Sequence, residues 1–144
     1  MRARLSAVFA ALILLVAALG TAGCWGSGGD THSLDGTAWR LTGWTLSYLK
    51  PSDFTITAKF ADGQISGNSG VNAYGDPYTA GPGKAFSVGN LAVTAMGGIG
   101  PDVRAEQTYL ELLGQAKSFK QSGSRLTLLD EHGNVLLVFR AAKP

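Results

Sequence analysis

The chain is poor in the side chains from which metal and catalytic sites are built. Its 144 residues include one cysteine and two histidines, and a single cysteine excludes a disulfide within the chain. His132 has Asp130 and Glu131 beside it, but three neighbouring side chains of a tight turn cannot all converge on one ion. His32 lies apart, in a glycine-rich stretch. We therefore expect no metal site, no cofactor and no enzymatic activity.

The chain also lacks an excess of charge and an apolar run long enough to cross a bilayer. It carries 12 Lys and Arg against 10 Asp and Glu, and two of the cations, Arg2 and Arg4, precede an apolar run over residues 5–19. That run is shorter than the roughly 20 residues of a spanning helix, and its composition is typical of an export signal. Without Arg2 and Arg4 the remaining chain has 10 charges of each sign. We therefore expect no nucleic-acid partner.

The end of this leader is typical of a bacterial lipoprotein signal. Small residues at 20–23 precede Cys24, whose sulfur would carry a diacylglyceryl group, and two acyl chains suffice for stable anchoring. The alternative is an ordinary signal peptide followed by a coincidental cysteine, since Thr21 stands where a leucine is usual. We expect a signal peptide over residues 1–23, a flexible Gly/Ser-rich tether over 24–33, and a lipid-anchored protein on the extracytoplasmic side of the cell membrane.

Residues 34–144 have the alternation and turn signals of a mainly antiparallel β domain. The clearest strand pattern covers residues 54–60, where Phe54, Ile56, Ala58 and Phe60 share one face. Further strands are predicted at 38–44, 64–67, 86–88, 91–93, 125–129 and 135–139. We expect a small antiparallel β-barrel or curled sheet of seven to eight strands with one α-helix across its open end.

The single predicted helix begins at a Gly-Pro-Asp sequence, with Pro101 at the first helical position and a carboxylate in the first turn. Gly114 is expected to end the helix. One predicted stripe of this helix consists of Val103, Glu106, Gln107, Leu110 and Leu113, with Tyr109 and Leu112 beside it. Outside the helix we expect Trp39, Tyr74 and Met96 in the core.

The order of several short motifs resembles the META domain family, which includes the heat-shock protein HslJ. The opening LDGTAWRL at 34–41 is similar to the family's L-x-G-T-x-W-x-L, and FADGQISGNSGVNAY at 60–74 is similar to F-x-D-G-x-x-x-G-x-x-G-C-N-x-Y. TAM at 94–96, the helix pattern from Glu106 to Leu113, and the closing strands also match. The resemblance covers residues 34–140. It implies an HslJ-like β fold without established enzymatic chemistry, and a connection with stress tolerance.

This sequence departs from the family at two positions. Many members carry one cysteine where Val71 stands and another where Gly98 stands. The loss of both removes a bridge without leaving an unpaired thiol. We expect Val71 to offset part of that loss by burying its side chain.

Three polar residues deserve separate interpretation. Ser69 lacks the G-x-S-x-G spacing of a nucleophile elbow, so we interpret it as a residue that holds a bend. Asn72 can accept left-handed backbone angles and bond its own loop. Glu106 shares a helix stripe with apolar residues, and its carboxylate could cap backbone amides of a neighbouring loop. We expect structural roles for Asn72 and Glu106, with contact to a ligand or partner as the alternative.

The functional hypothesis combines the anchor with the β domain. We expect a monomeric, membrane-anchored lipoprotein of the cell envelope, whose non-catalytic domain binds an envelope protein or a small ligand. The alternative is a structural or assembly factor of the envelope without a defined ligand pocket. An enclosed apolar cavity would favour a ligand, whereas a filled barrel with exposed apolar side chains would favour protein partners.

Overall fold

Residues 33–45 and 47–143 are the part of the chain that the computed structural model describes. Cys24, the predicted signal peptide and the predicted tether up to His32 lie outside the described residues. The strands are β1 (Thr37–Trp44), β2 (Thr57–Ala61), β3 (Gln64–Asn68), β4 (Ala73–Ala80), β5 (Phe86–Val88), β6 (Ala92–Val93), β7 (Ser118–Ser122), β8 (Arg125–Leu129) and β9 (Val135–Ala141), and the helix is α1 (Pro101–Gln115).

The strands form one antiparallel sheet in the order β5-β4-β3-β2-β1-β9-β8-β7, with β6 also paired to β4. The two ends of this sheet approach each other. Ala85, just before β5, bridges Ser118 at the start of β7, and the Phe86 amide donates to the Lys117 carbonyl at 2.9 Å. The sheet is therefore a nearly closed antiparallel barrel with one helix, and the predicted fold class is confirmed.

β5 and β6 are two halves of one bulged strand along the same edge of β4. Tyr78 opposes Val88, and Tyr74 opposes Val93. Four steps along β4 thus correspond to five steps along the opposing strand, which is the one-residue excess of a β-bulge. The first half reaches β7 and closes the barrel, whereas the second half is bent away and pairs with β4 alone.

Large apolar side chains fill the barrel interior. The buried residues include Trp39, Leu41, Ile56, Phe60, Ile65, Tyr78, Phe86, Phe119, Leu126, Leu128, Leu137 and Phe139. α1 adds Ala105, Glu106, Tyr109, Leu112 and Leu113. Edge-to-face ring contacts, such as Phe60 against Tyr78 and Tyr109 against Phe139, pack this interior. The core thus combines inward positions of the strands with one face of the helix.

The structure corrects several details of the predicted elements. A 3-10 turn at Pro51–Asp53 precedes β2, so the strand begins at Thr57 and Phe54 is only half-buried. α1 continues through Gly114 to Gln115. Its buried stripe is centred on Tyr109, and Gln107 is exposed. β4 and β7 were not among the predicted strands, because Gly75 and Pro77 interrupt the pattern of β4 and Phe119 is the only apolar residue of β7.

Met96 is not a core residue. Its side chain is 63% exposed, although Trp39 and Tyr74, predicted with it, are buried as expected. The reason lies in the backbone: both the amide and the carbonyl of Met96 contact the Asn72 side chain. The main chain at Met96 therefore lies against the domain, and its side chain projects away.

Candidate functional site

The Glu106 carboxylate joins helix α1 to the bend that precedes β4. Its Oε2 accepts hydrogen bonds from the Ser69 hydroxyl and, at 2.8 Å, from the Asn72 amide. Its Oε1 accepts from Asn72 Nδ2, also at 2.8 Å. The carboxylate is 9% exposed, Asn72 is 6% exposed and Ser69 is fully buried. We call Ser69, Asn72, Thr94 and Glu106 the polar cluster.

Asn72 transmits this contact to the segment that follows β6. Its Oδ1 accepts a hydrogen bond of 2.7 Å from the Met96 amide and one of 3.0 Å from the Thr94 hydroxyl. Its Nδ2 also lies 3.4 Å from the Met96 carbonyl oxygen. One side-chain amide thus makes the contacts that a neighbouring strand would make with its backbone. The position of residues 94–96 depends on it.

The bend itself needs glycine where it approaches the helix. Gly70 has φ of +122°, a conformation that side chains disfavour. A Cβ there would lie 3.5 Å from the Asp102 carbonyl oxygen. Asn68 Oδ1 accepts the Gly70 amide at 2.8 Å, and the Ser69 amide donates to the Asn72 carbonyl at 2.8 Å. Ser69 therefore holds the bend, as expected.

Electrostatics keep the cluster carboxylate ionised. Burial acts to raise the pKa of Glu106, but the hydrogen bonds from Ser69 and Asn72 outweigh it and hold the pKa below its ordinary value of 4.5. Both oxygens are occupied by donors from the domain itself. The group is thus suited to fix a loop, since a general base needs a raised pKa and a free oxygen.

A second buried contact couples α1 to the barrel. The Tyr74 and Tyr109 hydroxyl oxygens lie 2.6 Å apart, and the Tyr74 hydroxyl donates to the Thr57 carbonyl at 2.9 Å. Burial raises the pKa of both phenols above their ordinary value of 10. They remain neutral hydrogen-bonding groups at physiological pH.

The predicted site residues are thus partly brought together. Asn72 and Glu106, considered separately in the sequence, contact each other directly, and Glu106 does cap a backbone amide of the neighbouring loop. Thr94 is the member that residue-by-residue reasoning missed; the family resemblance, which includes residues 94–96, was the signal that pointed to it. Cys24 lies outside the described residues, and its predicted lipidation stays a prediction.

The remaining candidates lie elsewhere. His132 is exposed in the β8–β9 turn, with Nε2 at 3.5 Å from Glu131, and Asp130 accepts backbone amides of the same turn. Across residues 33–45 and 47–143, no three Asp, Glu, His or Cys side chains are placed to hold a metal ion. The same residues contain no helix long and apolar enough to span a bilayer.

The two positions where many META domain members carry cysteines are neighbours. A Cβ built on Gly98 would lie 3.0 Å from each γ-methyl group of Val71. Val71 is half-buried, so its side chain provides part of the expected packing. The polar cluster and this contact hold the same two segments together.

Comparisons with known proteins agree with this architecture. The sequence profile of the META domain matches residues 32–143. A solution structure of a protein from Burkholderia xenovorans shares 25% identity and a TM-score of 0.64, covering 78% of this chain and 86% of that one. A DUF4847 family crystal structure from Bacteroides vulgatus shares 12% identity and a TM-score of 0.56 over 77% of this chain and 96% of that one, which shows similarity of fold alone. Curated proteins give no match.

Proposed function

The chain belongs to the META domain family, and we propose that it is a non-catalytic, lipid-anchored protein of the cell envelope that binds another protein. The observation that carries this proposal is the polar cluster. It holds residues 94–96 against the domain through the buried side chain of Asn72, and the side chains of Ala95 and Met96 remain in solvent. A loop that hydrogen bonds hold in one position, and that exposes apolar side chains, is suited to binding another protein.

A protein partner fits this geometry better than a small ligand. The barrel interior is occupied by buried aromatic and aliphatic side chains, whereas Met96 and Ile99 are 63% and 89% exposed. Exposed apolar side chains grouped along one segment are typical of protein contact surfaces. The filled interior of the barrel thus leaves little room for a ligand, whereas the exposed side chains of Met96 and Ile99 are available to a protein partner.

The start of the described chain and residues 94–96 lie toward opposite ends of β4. The Ser33 amide and hydroxyl both donate to the Ala80 carbonyl, so the described chain begins beside the last residue of β4. Asn72 immediately precedes the first residue of β4. Eight residues of strand separate them, about 25 Å. The proposed tether would therefore join the domain at the end of β4 that is remote from residues 94–96.

The anchor is tested by replacing its sulfur. We expect Cys24→Ser to move the protein from the membrane to the soluble fraction, because both acyl chains depend on that sulfur. Intact-mass measurement of the wild-type protein should show a chain that begins at Cys24 and carries lipid. An unmodified sulfur, or a variant that still sediments with membranes, would refute anchoring.

The partner surface is tested by site-specific photo-crosslinking in cells. A benzoylphenylalanine at Ile99 should give a discrete crosslinked protein, and the same probe at exposed His132 is the matched control. The additional variant Glu106→Gln should weaken the Ile99 product, because it loosens the segment that presents it. Equal crosslinking at the two positions would argue against a defined surface.

A further inference from the structure

The outer edge of β6 carries backbone groups that no strand of the described residues pairs. The Thr94 amide donates to the Ala73 carbonyl at 3.0 Å, and the Met96 amide points to Asn72. Hydrogen-bonding directions alternate along an antiparallel strand. The N–H and C=O groups of Val93 and Ala95 therefore face away from β4, and both residues are exposed.

This edge lacks the charges that usually protect exposed strands. Two lysines lie at β7, the strand at the other end of the sheet. Lys120 belongs to β7, and Lys84 Nζ lies 5.1 Å from the ring centre of Phe119, the residue before Lys120. Charged side chains at an edge discourage pairing with foreign strands. By contrast, residues 91–100 contain no charged side chain. The β6 edge thus has no charged side chain that would oppose pairing with an uncharged strand.

A shallow depression next to the same edge could receive a side chain. Its lining consists of Ala73, Tyr74, Gly75, Ala92, Val93 and Thr94. These residues come from the paired β4 and β6, so the depression has a fixed shape. In strand addition, backbone bonds supply affinity and such depressions select alternate side chains. The small residues Ala73, Gly75 and Ala92 in this lining leave room for an aliphatic side chain.

We propose that the outer edge of β6 binds an extended, uncharged segment of a partner protein, which adds a strand beside Val93 and Ala95. This inference deepens the proposed function and rests on it. The incoming segment has alternating aliphatic side chains, one of which enters the depression. Its backbone pairs with the outward groups of Val93 and Ala95.

A second copy of this chain is a poorer occupant. The available edge is a few residues long, and pairing two such edges would bury far less than the roughly 1,200 Å² of a stable interface. The bilayer is also a poorer occupant, because the outward N–H and C=O groups of Val93 and Ala95 would find no hydrogen-bond partner in a hydrocarbon layer. A peptide strand needs neither a large area nor a membrane.

The test uses the isotope-labelled full chain in detergent and a synthetic seven-residue peptide of alternating threonine and valine. We expect amide shifts confined to residues 91–96 and slower hydrogen exchange at Val93 and Ala95 when the peptide is added. The Val93→Pro variant removes one outward N–H and leaves the β4 pairing in place, so we expect at least about tenfold weaker binding. Val93→Thr keeps that N–H and should bind like the wild type.

Several results would overturn the proposal. They are the absence of shifts at millimolar peptide, shifts at the β7 edge around Lys120, equal affinity of Val93→Pro, and self-association of the chain without peptide. Because Val93→Pro could disturb the fold, Ala95→Pro provides a second variant on the same edge, and near-ultraviolet circular dichroism checks both. Membrane fractionation of Cys24→Ser is independent of all these measurements, so failure of strand addition can be told apart from failure of the anchor.

Discussion

Glu106 accepts hydrogen bonds at both carboxylate oxygens from a residue 34 positions away in the sequence. In Glu106→Gln, one of the two oxygens becomes an NH₂ group that faces a donor of Asn72 or Ser69. We expect a loss of about 2–3 kcal/mol in the free energy of unfolding, measured by urea denaturation at neutral pH. Glu111→Gln, on the exposed side of the same helix, should change it by less than about 0.5 kcal/mol.

The same residue makes stability depend on acid. The pKa of Glu106 is lowered in the folded protein, so its stabilising contribution is complete above the unfolded pKa, near 4.5, and is lost as the pH falls through the folded value. The difference in unfolding free energy between wild type and Glu106→Gln should therefore be largest at neutral pH and shrink below about pH 4.5. A constant difference over this range would show that the pKa of Glu106 is the same in the folded and the unfolded chain.

The tyrosine pair predicts unequal effects of two similar substitutions. In Tyr109→Phe, the Tyr74 hydroxyl still donates to the Thr57 carbonyl, so we expect a loss of about 0.5–1 kcal/mol. In Tyr74→Phe, the fully buried Tyr109 hydroxyl loses the partner at 2.6 Å, and a loss of about 1–3 kcal/mol is expected. Urea unfolding of both variants measures the difference, and equal losses would contradict the assigned direction of the bonds.

At the scale of elements, side chains hold the bend before β4 against the segment that leads from β6 to α1, and a covalent link should replace part of that contact. The double variant Val71→Cys with Gly98→Cys places two sulfurs where a Cβ on Gly98 would already touch the Val71 methyl groups. We expect a disulfide that stabilises the domain by about 3 kcal/mol, given the loop of fewer than 30 residues that it closes. Thermal unfolding with and without reductant measures the gain; an unchanged melting temperature would contradict the proximity.

The elements also show what local sequence can and cannot predict. The period-two pattern located β2, and Gly-Pro-Asp located the start of α1, because those signals act within a few residues. β7 has one apolar residue, Phe119, and is a strand because it pairs with β8 and Ala85. Met96 was predicted to lie in the core because its side chain is apolar. The hydrogen bond from its amide to Asn72 could not be read from the sequence. Non-local pairing decided both.

At the scale of the whole molecule, the topology places Ser33, where the described chain begins, and the open edge of β6 toward opposite ends of β4. The fold class could be predicted from alternation, turns and the family resemblance, whereas Ser69, Asn72 and Glu106 could be predicted only as separate residues. Their assembly depends on the bend at Gly70 meeting the second turn of α1, 36 residues later in the chain. Such meetings follow from barrel closure, which no local pattern encodes.

The bulge at residues 89–91 separates one strand into two halves with different structural roles. Upstream of it, Ala85 and Phe86 complete the wall of the barrel; downstream, Val93 and Ala95 contribute nothing to that closure. Substitutions downstream of the bulge should have little effect on closure of the barrel, because the upstream half makes that contact. The segment that contains Val93 and Ala95 should therefore tolerate grafted recognition sequences while the barrel stays folded.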